Sequence, residues 1–367
     1  MNVNRRHLMT GTVGAAAVAL TASACASGDS DNGGDGEGGG GSVGIAMPTQ
    51  SSERWIFDGN NLVSEFEAAG YTTSLQYAED NVEKQVNQIQ TMVGQGVNVL
   101  VIAAKDNKSL TGVLAEAKAE GIHVIAYDRL ILDSPDVDYY ATFDNEKVGT
   151  LQGTYIAEAL DLANQAGPFN IELFAGSLDD NNTKYFFKGA MDVLQPFIDE
   201  NKLVVKSGQV EMDAVATQDW SGDNAQNRMD NILSTYYSGG DKVNAVLSPY
   251  DGISRGIVSS LESDGYVAGT DLPVVTGQDA EVASIQYIKD GRQAQTVYKD
   301  TRLLASTTVE MVVAIMNGDT PTTNDDTTYD NGDHVVPANL LEPVSVDVNN
   351  YQEVVIDSGY IDASEIK

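Results

Sequence analysis

The chain has 367 residues, of which 54 are Asp or Glu and 21 are Lys or Arg, so its formal net charge is −33 at neutral pH. A charge of that sign excludes the electrostatics of a nucleic-acid-binding protein, and it would be repelled by an anionic lipid surface. The length suffices for two domains of ordinary size. The acidic balance favours solubility and does not identify a substrate.

The first 25 residues are predicted to be an export signal. Arg5 and Arg6 precede an apolar, small-residue run, residues 9–20, that is too short to span a bilayer comfortably. A charged start, a short apolar core and small residues before the cleavage point describe a signal peptide. The paired arginines leave two routes open, twin-arginine export and ordinary secretion.

Cys25 is the single cysteine of the sequence, and it follows the segment LTASA at 20–24. This segment resembles a bacterial lipoprotein box, in which the thiol is acylated and becomes the new N-terminus. We therefore expect a lipid anchor at Cys25, the alternative being an incidental cysteine in a cleaved signal. Residues 26–42 are rich in Gly, Ser and acids, cannot bury apolar surface, and are predicted to form a flexible tether.

Buried-type strands and amphipathic helices alternate from residue 43 onward. The strands are predicted at 43–47, 72–77, 97–103, 123–127, 139–143, 169–174, 203–207, 245–247, 273–276 and 294–298. Strand–helix alternation with short connections predicts α/β architecture with a parallel, doubly wound sheet. The pattern restarts near residue 145, which predicts two such halves. After a long helix at 301–316 we expect an irregular tail.

Polar groups stand where successive predicted strands end. Asp128 and Arg129 come directly after the strand predicted at 123–127. The other residues of this set also stand at or shortly after the ends of predicted strands, and they are Arg54, Trp55, Asn181, Asp251, Asp279 and Lys299. In open parallel sheets that edge is where ligands bind. For Asp128 and Arg129 alone, a surface ion pair is the alternative. The recurrence along the chain favours one cleft between the two halves.

The chemistry of this set suits a neutral, polyhydroxylated ligand. Sugar hydroxyls both donate and accept, so each can bond a carboxylate and a cationic or amide group, and hydrogen bonds to charged groups are strong. Trp55 and Trp220 have polar sequence neighbours, so we predict that they stack on a sugar ring, with core packing as the alternative.

Enzymatic and metal-dependent functions have little support. There are three histidines, and the sequence lacks a nucleophile elbow, a phosphate loop and a dinucleotide fingerprint. Paired carboxylates could serve a glycosidase, but acids alternating with Arg129 and Lys299 favour hydroxyl binding. The acids at 325, 326, 330 and 333 could hold calcium, although a solvated turn is the simpler interpretation. No cofactor is expected.

Seven segments in order resemble the type I periplasmic binding proteins, above all the xylose- and multiple-monosaccharide-binding members. They are ERW at 53–55, VLVI at 99–102, IAYDR at 125–129, ATFDNE at 141–146, DNN at 180–182, GQDA at 277–280 and VYK at 297–299. The resemblance implies a monomer whose two lobes close on one monosaccharide and deliver it to the permease of an ABC importer. It also implies three crossings between the lobes, near Asp144, Lys299 and Tyr329. The N-terminal lobe would then comprise 43–144 and 300–329, and the C-terminal lobe 145–299 and 330–367.

The same resemblance assigns ligand contacts to each lobe. The N-terminal lobe would bond the sugar through Arg54, Asp128 and Arg129 and stack Trp55 on it. The C-terminal lobe would supply Asn181, Asp251, Asp279 and Lys299, with Trp220 stacking. Tyr250 stands where xylose-specific members tend to carry Asn, so the segment SPYD at 248–251 is closer to the multiple-sugar members. Gln50 stands where multiple-sugar members can carry Lys.

Two rivals within this fold differ in function. A sensor module would present the same sugar to a membrane receptor or sensor kinase without transport. A transcription regulator would need an N-terminal helix-turn-helix and a basic face, where this sequence has a signal and a tether.

Overall fold

The structure, a computed structural model, describes residues 40–367. The predicted signal, the lipid-anchor residue Cys25 and tether residues 26–39 lie outside the described residues. Across residues 40–367, every helix is too short or too polar to cross a membrane.

The first half of the chain contains five strands and three helices before the pattern restarts. In chain order they are β1 (Ser42–Met47), α1 (Glu53–Ala68), β2 (Thr72–Tyr77), α2 (Val82–Gly94), β3 (Val99–Ile102), α3 (Thr111–Ala119), β4 (His123–Tyr127) and β5 (Tyr139–Phe143).

The remainder repeats the alternation and ends in two short strands. The elements are α4 (Asn145–Ala159), β6 (Phe169–Leu173), α5 (Asn182–Asp199), β7 (Leu203–Val205), α6 (Met212–Val215), α7 (Gly222–Ile232), β8 (Ala245–Leu247), α8 (Asp251–Ser263), β9 (Val274–Val275), α9 (Val282–Lys289), β10 (Gln295–Tyr298), α10 (Thr301–Met316), β11 (Ala338–Leu341) and β12 (Val344–Asp347). A 3₁₀ turn spans Gln218–Trp220, and π-helical turns cover Leu233–Tyr237 and Gln352–Ile356.

The N-terminal lobe is a six-stranded parallel sheet in the order β2-β1-β3-β4-β5-β11, covered on both faces. Side chains of β3 alternate between the two cores. Leu100 and Ile102 pack with α2 and α3, whereas Val99 and Val101 pack with α1 and α10. This double burial explains why the strand is wholly apolar.

The C-terminal lobe is built around a four-stranded parallel sheet in the order β7-β6-β8-β9. Helices α4 and α5 cover one face, and α7 and α8 cover the other. Strand β10 pairs antiparallel with β12, and a bridge between Gln278 and Val297 joins it to the loop after β9. The prediction of two doubly wound parallel halves is confirmed, and each predicted strand has a counterpart.

The chain passes between the lobes after β5, after β10 and after β11. The last of these crossings differs from the expectation of a crossing near Tyr329. Strand β11 pairs in parallel with β5, Ala338 opposite Tyr140, so residues 330–341 belong with the N-terminal sheet. Assigning them to the C-terminal lobe was wrong, because the sheet gains a sixth strand before the chain returns as β12.

The tail is also more regular than expected. The sequence predicts an irregular segment after α10, yet this segment contributes β11, β12 and a final packed segment in which Val346, Val355 and Ile361 are buried. These strands have four residues each, which is too short for a periodic signal in the sequence.

Candidate functional site

A cavity of about 570 Å³ lies between the two lobes, at the carboxyl ends of their parallel strands. Both lobes contribute to its walls, chiefly through loops that follow strands. Most of the sequence-predicted set lies on these walls, namely Arg54, Trp55, Asp128, Arg129, Trp220, Asp279 and Lys299. The topology therefore brings together side chains that are far apart in the sequence.

Several of the wall residues have left-handed backbone conformations. The φ angles are 59° at Asp128, 56° at Asp219, 54° at Trp220 and 93° at Asp279. Asp tolerates this region better than most residues, while a bulky residue such as Trp is held there only by its surroundings. At Asp128, two hydrogen bonds hold the backbone in this conformation. Its carbonyl accepts them from Tyr140 Oη at 2.6 Å and from Asn182 Nδ2 at 2.7 Å.

Two cations and three carboxylates form a buried charge cluster at the centre of the cleft. We call Arg54, Asp58, Asp128, Asp279 and Lys299 the central charge cluster. Arg54 binds Asp58 at 2.9 Å, Asp128 closely, and Asp279 of the other lobe at 3.5 Å. Lys299 lies 3.1 Å from Asp279 and 3.8 Å from Asp128. Direct ion pairs thus connect the two lobes.

The cluster keeps Asp128 and Arg54 charged. Burial opposes ionisation of Asp128, but Arg54 and Lys299 outweigh it and lower the pKa of this carboxyl. Burial also works against the charge on Arg54, yet Asp128 and Asp58 hold its pKa well above the usual value. The wall therefore presents a fixed carboxylate beside a fixed guanidinium, as hydroxyl binding requires.

Arg129 is oriented by Trp55 and by the facing lobe. Its guanidinium lies 5.0 Å from the centroid of the Trp55 ring, and that of Arg54 lies 4.9 Å from the same ring. Arg129 Nε is 2.9 Å from Asp180 Oδ2, but the N–H does not point at the oxygen, so the contact is an ion pair without a hydrogen bond. Trp55 is largely buried, so it supports both arginines as well as lining the cavity.

Trp220 forms an aromatic corner in the C-terminal wall. Its ring meets Phe186 and Tyr250 edge-on, with centroids 6.2 Å and 6.1 Å away. A Cβ on Gly176 would lie 2.1 Å from the indole, so glycine is needed there for the ring to fit. Among residues 40–367, Trp220 Nε1 and Gln278 Oε1 are buried on this wall without a hydrogen-bond partner. Both atoms are available to a polar ligand.

Two sequence-predicted site residues do not line the cavity. Asn181 precedes α5 and has a buried Nδ2 without a hydrogen-bond partner, whereas the adjacent Asn182 lines the cavity and donates to the Asp128 carbonyl. Asp251 is fully buried, and its oxygens accept hydrogen bonds from Gln293 Nε2 at 2.8 Å and the Glu281 amide at 3.0 Å. The carboxyl group of Asp251 therefore makes its hydrogen bonds within the C-terminal lobe, while its neighbour Tyr250 forms part of the wall. The predicted set therefore reaches the wall only in part, and sugar contacts of Asn181 and Asp251 stay predictions.

Lys105 is a wall residue that the sequence did not reveal. Its ammonium reaches across the cleft to Asp179 at 2.5 Å and Asp219 at 3.1 Å, and the Asn107 amide donates to the Asp179 carbonyl. No local pattern marks Lys105, because its partners are more than seventy residues away in the sequence.

A second set of cross-lobe contacts lies at the start of α1. Ser52 stands at the N-cap of this helix, yet its hydroxyl donates to Glu281 Oε1 at 3.3 Å and makes no capping bond. Glu53 accepts a hydrogen bond from the Val282 amide at 3.1 Å. With the Lys105 contacts, these interactions show a closed arrangement of the lobes.

The acids near residue 330 make turn contacts. Asp325 accepts hydrogen bonds from the amides of Thr327 and Thr328, and Asp330 accepts one from Gly332. Within residues 40–367, three or more His, Cys, Asp or Glu side chains nowhere converge as a metal site would require.

Comparison with known proteins identifies related molecules. Residues 43–320 match the family model described as a periplasmic binding protein domain. The multiple sugar-binding periplasmic protein SbpA of Azospirillum brasilense is 60% identical over 89% of this chain and 91% of its own length. The multiple sugar-binding periplasmic receptor ChvE of Rhizobium radiobacter is 56% identical over 89% of this chain and 92% of its own. A solved ABC-transporter solute-binding protein from Clostridium phytofermentans, with bound β-D-glucose, has a TM-score of 0.86 and 49% identity, covering 89% of this chain and 100% of that one.

Asp179 provides a test of the closed arrangement, because it bonds Lys105 across the cleft but does not line the cavity. We expect Asp179→Asn to weaken binding of every sugar by the same factor, about fivefold, since it destabilises closure and leaves the sugar contacts intact. Titration calorimetry with several aldoses measures this. The matched control is Asp192→Asn, whose partner Lys188 is in the same lobe. A loss restricted to some sugars would contradict this role.

Asp251 predicts a pH dependence of stability. Burial raises its pKa from the ordinary 3.8 to about 8, and Glu281 adds to the rise. The folded state therefore holds a proton that the unfolded state releases, so this group's stabilising contribution is lost as pH rises from about 4 to 8. We expect the free energy of unfolding of Asp251→Asn, minus that of the wild type, to grow by roughly 1.4 kcal/mol per pH unit in this range and to level off above it. Urea titrations at four pH values measure the difference, and a constant difference would contradict the assignment.

Proposed function

Because the chain belongs to the periplasmic-binding-protein family, in its type I sugar-binding branch, we propose that it captures one monosaccharide outside the cytoplasm for an ABC importer. The family consists of solute-binding proteins, so the chain is not an enzyme. The ligand is an aldopentose or aldohexose, such as xylose, glucose, galactose or arabinose. It binds in the cavity between the lobes.

The central charge cluster is the observation that carries this proposal. Asp128 and Arg54 of one wall face Asp279 and Lys299 of the other at 3.5 to 3.8 Å where they cross the cleft. A sugar hydroxyl placed among them donates to a carboxylate and accepts from a cation at once. A ligand lacking that hydroxyl makes none of these charge-assisted hydrogen bonds and binds more weakly. Arg129, Trp55, Trp220 and the free Gln278 Oε1 complete the polar and aromatic lining.

Breadth of sugar recognition follows from the position of Tyr250. Its hydroxyl is bonded to Glu281 at 2.6 Å, so it presents a ring and not a polar group to the cavity. An aromatic wall makes no hydrogen-bond demand on the sugar it faces. The names of SbpA and ChvE, which specify multiple sugars, and the glucose bound to the Clostridium protein support this breadth.

The cellular setting follows from the relatives and the N-terminal sequence. The relatives are periplasmic, which supports export. Acylation at Cys25 would hold the protein on the outer face of the cytoplasmic membrane, with residues 26–42 as a tether. A monomer would then close on the sugar and present it to the permease subunits. Loss of radiolabelled aldose uptake in a gene-deletion strain tests transport.

A sensing role is the second candidate, because one relative at 56% identity is named a receptor. In that case a membrane receptor or sensor kinase, and not a permease, would bind the closed form. Unimpaired uptake together with a lost transcriptional response to the sugar in the deletion strain would favour sensing over transport.

Truncating Asp128 tests the proposed site. We expect Asp128→Ala to weaken aldose binding by roughly 2–5 kcal/mol, because Arg54 and Lys299 lose their buried partner. Calorimetry and thermal shift over pentoses and hexoses measure the loss, since a ligand that binds only the folded state raises its melting temperature. Asp133→Ala is the matched control, being an exposed Asp with a similar φ of 55°. Full affinity of Asp128→Ala for every aldose would refute the site.

A further inference from the structure

Asp58 lies behind the cavity wall, one helical turn after Arg54 in α1. It is fully buried and does not line the cavity. Its Oδ2 accepts a hydrogen bond from Arg54 Nε at 2.9 Å, and its Oδ1 accepts one from Tyr127 Oη at 2.5 Å. Of the residues that line the cavity, Arg54 is the one that Asp58 hydrogen-bonds.

The geometry of the guanidinium makes that influence specific. The group is planar and its N–H donors form a rigid fork, so fixing the Nε–H direction fixes the directions of both terminal nitrogens. These nitrogens face Asp128 in the same lobe and Asp279 in the other. If Asp58 did not accept from Nε, this buried donor would be unsatisfied, and Arg54 would turn to find another acceptor.

The charge balance of the cluster indicates that the buried Asp58 lowers the stability of the folded state. The central charge cluster contains three carboxylates and two cations, so one negative charge is in excess. Burial raises the pKa of Asp58 to about 6, although Arg54 opposes the rise. Besides Arg54, the groups that affect the pKa of Asp58 are Asp128, Lys299 and Tyr127. The charge of Asp58 in turn helps to raise the pKa of Tyr77 and Tyr360. A buried carboxylate that disfavours folding is typical of a functional position.

We propose that Asp58 is the positioning residue for Arg54, aiming its terminal nitrogens at the sugar and at Asp279. This inference rests on the proposed function, in which Arg54 bonds the sugar. Asp58 is not itself a sugar contact. It affects sugar affinity by fixing the orientation of the guanidinium plane of Arg54. Tyr127 fixes the Asp58 carboxyl in turn through its hydrogen bond.

The test is a set of double-mutant cycles, with D-glucose and D-xylose titrated by calorimetry. We expect Asp58→Asn to lower affinity about tenfold, because a charge-assisted bond to Arg54 becomes neutral or is lost. In an Arg54→Lys background, where no Nε fork remains to be oriented, the same change should have less than about a twofold effect. In a Trp220→Phe background it should again cost about tenfold, because the two sites act independently.

Controls separate positioning from general damage to the core. Tyr127→Phe removes the other hydrogen bond on Asp58 and keeps the bond to Arg54, so it should lower the melting temperature and change affinity less than about threefold. Asp58→Asn is nearly isosteric, and the melting temperature without sugar verifies that each variant folds. Asp58→Ala provides a second, more disruptive variant, which should follow the same dependence on Arg54.

Two outcomes would overturn the inference, and they are distinguishable. If Asp58→Asn costs as much in the Arg54→Lys background as in the wild type, Asp58 does not act through Arg54, while the proposed sugar site stands. If Arg54→Lys alone leaves both affinities unchanged, Arg54 is not a sugar contact, and its assignment in the proposed function fails together with the inference.

Discussion

The closed structure depends on the burial of opposite charges from two lobes in one place. Removing a charge from water is expensive, and the cost is recovered only where partners are close and their remaining donors and acceptors are satisfied. Arg54 and Asp128 come from the N-terminal lobe, and Asp279 and Lys299 come from the C-terminal lobe. Separating the lobes returns these groups to water. The cleft is therefore an element with two arrangements, and a sugar that bonds both walls at once favours the closed one.

The backbone prepares these walls before any ligand arrives. Asp128 and Asp279 occupy left-handed conformations, and their neighbours fix them through the Asp128 carbonyl and through the bond from the Asp279 amide to Val297. Such conformations cost free energy and persist only where the surroundings determine them. The benefit is preorganisation, because donors and acceptors that are already aimed lose little entropy on binding.

The architecture was predictable because its signals are local. Wholly apolar runs such as that of β3 indicate strands covered on both faces, and polar residues directly after them indicate a ligand edge. That reasoning placed Asp128, Arg129, Asp279 and Lys299 on the cavity wall, where they lie. The prediction that the ligand is a monosaccharide rests on the chemistry of these residues and on the family resemblance.

The predictions differ from the structure where a residue's position depends on which of two neighbouring residues faces the cavity, or on partners far away in the sequence. Asn181 and Asn182 are adjacent at a helix start, where consecutive side chains point in different directions, so the sequence could not show which one faces the cavity. Asp251 has a carboxyl group of the kind that binds sugar hydroxyls, but Gln293 from another segment already donates a hydrogen bond to it. Lys105 becomes a wall residue only through Asp179 and Asp219 of the other lobe. The crossing after β11 depends on a four-residue strand that joins β5 across nearly two hundred residues.

A bound sugar is expected to hold the two lobes together around the central charge cluster. Spin labels at the exposed positions Asn87→Cys in α2 and Gln195→Cys in α5, with Cys25→Ser, report the separation of the lobes by pulsed electron resonance. Saturating D-glucose should give one narrow distance distribution, matching the closed structure. Without sugar, a longer and broader distribution is expected. The same narrow distribution with and without sugar would contradict closure of the lobes by the sugar.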